Sequence, residues 1–153
     1  MNQQNRTLNW LQYPGQAIRK ILQAASPKVR VPLAISLGAI AGALSRYYLT
    51  LGFNHWLGTT FPFGTFFINL SGAFIMGFFV TLAIERTIIS PDLRLVIAVG
   101  FLGSYTTFSS YQLEAEKLLM IGQWGLTSLY WIGSAILGVV CLELGTYLAR
   151  RFP

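Results

Sequence analysis

Thr65, Asn69, Thr106, Thr107, Ser109, Ser110, Tyr130 and Ser134 are uncharged polar residues set within otherwise apolar stretches of the chain. Hydroxyls and a carboxamide donate hydrogen bonds without carrying charge. Along a narrow path, donors of that kind suit a small anion, because they replace its hydration without holding it so tightly that it cannot leave. Phe108 and Tyr111 stand three apart, on one face of a helix, and the positive edges of their rings could add to the same path. Each of these groups also has an ordinary reading. Asn69 could be glue between helices, hydroxyls often bond to carbonyls of their own helix, and phenylalanines in membrane helices usually touch lipid or core. No carboxylate lies in the middle of residues 31–51, 63–84 or 126–149, which argues against a cation transporter. An enzyme is equally unsupported: there is no Cys/His/Asp cluster, no glycine loop leading to a lysine, and His55 has no evident partner. Cys141 is the single cysteine, so it forms no intrachain disulfide and reads as core packing.

The elements that must hold these groups are membrane helices. The chain has 153 residues, 54% hydrophobic and 10% charged, with a mean hydropathy of +0.54. Soluble domains carry about 25% charged residues, and a membrane helix needs roughly 20 apolar ones. Four such segments are predicted, over residues 31–51, 63–84, 93–121 and 126–149, giving an all-α integral membrane domain over 31–153. The third segment contains Gly103-Ser-Tyr-Thr-Thr-Phe-Ser-Ser-Tyr111, and a polar, glycine-punctuated run inside an apolar segment predicts a broken helix. Irregular backbone at membrane depth is tolerated where protein or water surrounds it, and such breaks tend to mark ion or substrate sites.

Around that break the sequence predicts close packing and short turns. Gly38 and Gly42, with Ala39 and Ala43, let helix backbones approach in lipid, and Arg46 could either reach carbonyls of a neighbouring loop or serve only as an orientation charge. Turns are expected at 61–65, 90–92 and 122–125. Residues 1–30 form a basic extension in which Ala17, Ile18, Ile21, Leu22 and Ala25 share one helix face, the pattern of a short amphipathic helix on a membrane surface. The net charge of +6 sits at segment ends, not in a stripe interleaved with aromatics. It therefore points to membrane lipid and orientation and away from nucleic acid.

With these residues in view, the chain resembles the CrcB/Fluc fluoride channel family over roughly residues 38–147. Three motifs carry the likeness: Gly38, Ala39, Gly42, Ala43 and Arg46; Phe61, Pro62, Gly64, Thr65, Asn69 and Gly72; and Gly103, Thr106, Thr107, Phe108, Ser109 and Tyr111, followed by Glu114. The resemblance implies a fluoride-specific channel in the inner membrane of a prokaryote, built as an antiparallel dimer, that exports fluoride passively. It implies that Asn69 donates to fluoride, that Phe108 and Tyr111 flank the path, that Thr65, Thr107, Tyr130 and Ser134 line it, and that Glu114 is an acid near one pore end. It further implies a structural sodium ion at the dimer interface, held by backbone carbonyls that would here be those of Gly103 and Thr106. Four positions depart from the family pattern. Ala39 and Ser104 replace glycines, Tyr111 replaces a phenylalanine and adds a hydroxyl that could bind the ion or narrow the path, and Gly138 stands where a serine would extend the polar track.

Charge placement raises a question about the partner. With the amino terminus inside, Arg6, Arg19, Lys20, Lys28, Arg30, Arg86, Arg94, Arg150 and Arg151 all fall on the inner face, against Lys117 and the border residue Arg46. Such a bias predicts insertion mainly one way, and hence pairing with an oppositely oriented paralogue in place of a second copy. Two rival readings go with this pattern. A small multidrug-type exporter would need a carboxylate deep within 31–51, and none is there. A non-conducting partner subunit is the other.

Overall fold

The computed structural model describes residues 26–85 and 89–151. Of the basic extension over 1–30, residues 1–25, with the expected surface helix around Ala17 to Ala25, lie outside the described residues, as does Arg86, while residues 27–30 already belong to the first helix. The described chain is all-α: α1 (Pro27–Leu57), α2 (Phe63–Glu85), α3 (Pro91–Arg94) continuing into a π-helical segment (Leu95–Leu102), α4 (Gly103–Tyr105), α5 (Phe108–Met120) and α6 (Trp124–Arg151). α1, α2 and α6 are each long and apolar enough to cross a membrane. The stretch from α3 to α5 makes the fourth element, bent at Thr106 and Thr107.

The expected segments exist, with shifted ends. α1 begins four residues before residue 31 and runs six past residue 51, so His55 lies in its last turn and not in a loop. An apolar window finds the part of a helix that lipid requires and stops where polar residues continue it. Ser90 caps α3, its hydroxyl accepting from Leu93 N at 3.3 Å, with Pro91 at the first helical position. The last turn is tighter than expected: Gly122 takes φ +74°, the left-handed conformation glycine favours, and Gly125 is already inside α6. The π-helical register of Leu95–Leu102 was not expected.

Two close helix pairs organise the molecule. In the first, α1 lies against the π segment: a methyl on Gly38 would strike Val96 O, one on Gly42 would strike Phe101 O, and one on Gly100 would strike Ile35 O. In the second, α2 lies against α6, where Gly77 abuts Leu142 O and Gly145 abuts Phe74 O. Without Cβ atoms the backbones touch, which is how helices gain contact where lipid offers no hydrophobic drive. Among the described residues the largest fully buried side chains are Tyr130, Ile68, Leu102 and Thr127. Ile40, Leu44, Leu129, Ile132, Ile136 and Val139 are all exposed. So much apolar surface is compatible with lipid or a second subunit and not with water.

Candidate functional site

The break is built from two consecutive extended residues, Thr106 (φ −78°, ψ 155°) and Thr107 (φ −149°, ψ 122°). Two peptide units thereby leave the helical ladder at a depth where each unpaired polar group is costly. Side chains take them up. Asn69 Oδ1 accepts from Thr107 N at 2.9 Å, and Asn69 Nδ2 donates to Thr107 O at 3.1 Å. In an unbroken helix Thr107 N would serve Gly103 O. Here it serves Asn69 instead. Arg46 Nε donates to Ser104 O at 3.1 Å, tying α1 to the upstream side of the break. Downstream, Thr107 Oγ1 caps α5 by accepting from Ser110 N at 3.2 Å. Thr106 Oγ1 and Thr106 N both return to Leu102 O, at 3.0 and 3.1 Å.

One turn further along, Glu114 draws together residues from two other helices. Thr65 Oγ1 donates to Glu114 Oε1 at 2.8 Å, and Tyr130 OH donates to Glu114 Oε2 at 2.9 Å. Thr65 and Tyr130 are buried, so both hydroxyl protons are committed to the carboxylate. An anion could use them only by taking them from Glu114. The rings gather beside this cluster. Tyr111 lies 4.9 Å from Tyr130 and 5.8 Å from Phe108, centroid to centroid, while Phe61 meets Tyr130 edge-on at 5.3 Å. The Tyr111 hydroxyl donates to Trp131 O at 3.1 Å, which occupies its proton within the subunit. Phe108 is 71% exposed and turns most of its ring outward.

Glu114 also lines two cavities. One, of about 210 Å³, is lined by Arg46, Thr50, Thr65, Thr107, Ser110 and Glu114. The other, of about 540 Å³, opens between the α1–α2 connection and the end of α5, with Asn54, Thr59, Glu114, Lys117 and Gln123 on its walls. Each cavity has one cationic side chain, Arg46 or Lys117.

The structure thus brings Thr65, Asn69, Thr107, Phe108, Tyr111, Glu114 and Tyr130 into one neighbourhood. Ser134 lies one turn beyond Tyr130, its Oγ buried with no partner among the described residues. The hydrogen at Gly138 Cα faces open space, as no atom lies within 4 Å of a Cβ built there. Gly103 is exposed, with only Ala98 O near the Cβ position. Three polar groups that sequence reasoning passed over belong to the same region. Ser71 Oγ and Tyr105 OH share a 3.0 Å hydrogen bond below the break, and Thr50 donates to Arg46 O at 2.8 Å on the cavity wall. Ser71 was findable as a second polar residue two positions after Asn69. Tyr105 reads as apolar bulk until its partner is known.

The comparisons with known proteins agree on one family. The model of "CrcB-like protein, Camphor Resistance (CrcB)" matches residues 33–146. A fluoride-specific ion channel FluC from a Synechococcus species is 53% identical over 125 residues, covering 82% of this chain and 96% of its own length. The FluC channel of Trichormus variabilis is 56% identical over 125 residues, with coverage of 81% and 91%. That of a Synechocystis species is 53% identical over 123 residues, with coverage of 80% and 95%.

Proposed function

Because the chain belongs to the CrcB/FluC fluoride channel family, we infer that it is a fluoride-specific channel subunit that lowers cytoplasmic fluoride by passive export. It is a multi-pass inner-membrane protein of a prokaryote and not an enzyme. The observation that carries the reading is Asn69. A carboxamide nitrogen has two N–H groups; one holds Thr107 O, and the other is left to meet a passing acceptor from a rigidly held amide. Phe108 and Tyr111 supply ring edges beside it and Ser134 a hydroxyl, while Thr107 lines the path with its hydroxyl donating to Ser110 Oγ at 3.1 Å. Thr65 and Tyr130 line the path in a second role, since their protons are kept oriented by Glu114. Arg46, with Gly38 and Gly42, has a structural part, fixing the break against α1.

The dimer belongs to the same proposal. Two such subunits, antiparallel, would bring their breaks together, and the freed carbonyls of Gly103 and Thr106 would supply part of the oxygen shell of a structural sodium ion. Carbonyl oxygens are suitable ligands for a hard cation. What supports the fit is the diversion of Thr107 N to Asn69, the extended ψ at Thr106 and the exposure of Gly103.

A specific observation favours an unlike partner. Arg30, Arg94, Arg150 and Arg151 share one end of the described structure, where Arg150 pairs with Glu85 and Arg30 approaches Asp92, each at 3.1 Å. Lys117 stands at the other end. On the Lys/Arg rule the subunit inserts with its amino terminus inside and pairs with an oppositely oriented paralogue. Purified chain in liposomes tests both levels. Fluoride efflux without a proton gradient is expected, either from the chain alone or when the paralogue is added. Absence of efflux in both cases would remove the channel reading. Tags on both faces found in equal populations would restore the antiparallel homodimer.

A further inference from the structure

A groove unrelated to the fluoride path runs between the carboxyl-terminal part of α2 and the start of the third crossing. It encloses about 370 Å³ and is walled by Phe79, Val80, Ala98 and Val99 at depth, with Ile84 and Arg94 nearer its end. Ile84 stands five positions after Phe79, so the groove reaches about 8 Å inward at the helical rise. It starts at the end of the molecule that carries Lys28, Arg30, Asp92, Arg94, Arg150 and Arg151, which is headgroup level for a membrane protein. Its wall is hydrocarbon except for Arg94.

Arg94 differs from Arg30 and Arg150, and from Arg151, whose guanidinium lies over the Tyr147 ring. Arg150 has Glu85, and Arg30 Nε lies 3.1 Å from Asp92 Oδ1, close enough for charge pairing though not aligned as a hydrogen bond. Arg94 has no carboxylate partner among the described residues. Its Nη2 donates to Ala83 O, which anchors the guanidinium at the rim, and its Nε is buried without an acceptor among the described residues. A fixed cation beside an apolar slot at headgroup depth calls for a ligand with an anionic head and a hydrocarbon tail.

We propose that this groove binds one anionic phospholipid, with an acyl chain against Phe79, Val80, Ala98 and Val99 and the phosphate at Arg94. The proposal rests on these helices crossing a membrane and not on fluoride conduction. The guanidinium selects the headgroup, because a lipid with net negative charge is attracted where a zwitterion is nearly neutral. The groove selects for a tail, so inorganic phosphate alone does not occupy it.

Native mass spectrometry of the full-length purified protein, titrated with phosphatidylglycerol or phosphatidylcholine, tests this directly. The unmodified protein is expected to prefer phosphatidylglycerol by about fivefold, the scale of one basic residue at a charged surface. Arg94→Gln should abolish the preference while a lipid still binds, and Arg94→Lys should retain most of it. Val99→Trp, which fills the slot from its exposed side, should weaken both lipids, with helicity and elution volume unchanged in each variant. An equal preference in Arg94→Gln and the unmodified protein would overturn the proposal, as would saturation by inorganic phosphate. If Val99→Trp leaves lipid binding intact and instead blocks subunit association, the groove is a protein interface and the lipid assignment is wrong.

Discussion

The two halves of the broken third crossing are held in opposite ways. Beyond Arg94, residues 95–105 are largely apolar, partly π-helical, and pressed backbone to backbone on α1 through Gly38, Gly42 and Gly100. Residues 108–120 form an ordinary α-helix that meets its neighbours through side-chain hydrogen bonds, from Thr65 and Tyr130 to Glu114 and from Tyr111 to Trp131. The first half is positioned chiefly by the absence of side chains, with Arg46 and Ser71 bonding only its last residues, Ser104 and Tyr105, and the second by side-chain donors. Shape fixes where the break sits. Hydrogen bonding fixes what chemistry the break presents.

That contrast makes substitutions on the two sides unequal. Gly42→Leu should have the largest effect, because its side chain must displace the Phe101 carbonyl. A loss of at least about 4 kcal/mol is expected for such overpacking, read as failure to recover folded protein in detergent. Gly133→Ala is the control, since no atom lies within 4 Å of its Cβ position, and its thermal midpoint should hold or rise slightly. Asn69→Ala comes next. It orphans both Thr107 N and Thr107 O at membrane depth, costing about 3 kcal/mol, and fluoride efflux from liposomes should fall by roughly two orders of magnitude.

Thr65→Val removes one of the two hydroxyls on Glu114. A hydrogen bond to a charged group is worth about 1.5–3 kcal/mol, so a lower thermal midpoint and an efflux loss of about tenfold are expected. A response as severe as that of Gly42→Leu would mean that the downstream half is held as rigidly as the upstream one, and the contrast would fail. Tyr111→Phe should be mildest. Its hydroxyl proton is spent on Trp131 O, so the loss of about 1 kcal/mol of hydrogen bonding should appear in stability, while efflux and selectivity change by less than about twofold. A marked change in selectivity would instead show that the hydroxyl meets the ion.

The same contrast explains what was legible in the sequence. Membrane segments follow from composition, and the break was visible because Ser104, Thr106 and Thr107 interrupt an apolar run. Gly38 and Gly42 announced close packing by their spacing alone. The identity of their partner was hidden, since a small-residue face says how near a neighbour comes but not which one. Nothing in Leu95–Leu102 marks a π-helix, because an uninterrupted apolar run has no periodicity to reveal its register. The Glu114 cluster was hidden for a different reason: Thr65, Glu114 and Tyr130 are distant in sequence, and their carboxylate–hydroxyl geometry exists only once three helices are packed. Family resemblance placed these residues on a common path, but not the commitment of their protons to Glu114.

The π-helical stretch also has an angular consequence. Each α-helical residue advances the chain by about 100° around the axis and 1.5 Å along it, whereas wider π turns accommodate an extra residue. Leu95–Leu102 therefore acts as a phase adjuster between the α1 contact and the break. Deleting Val99 and letting the segment close as α-helix would leave the break facing as it does, whereas closing as α-helix with every residue kept would swing Ser104, Thr106 and Thr107 by about 100°, away from both Arg46 and Asn69. The orientation of the break is thus encoded in how many residues precede it, even where the identity of those residues is interchangeable.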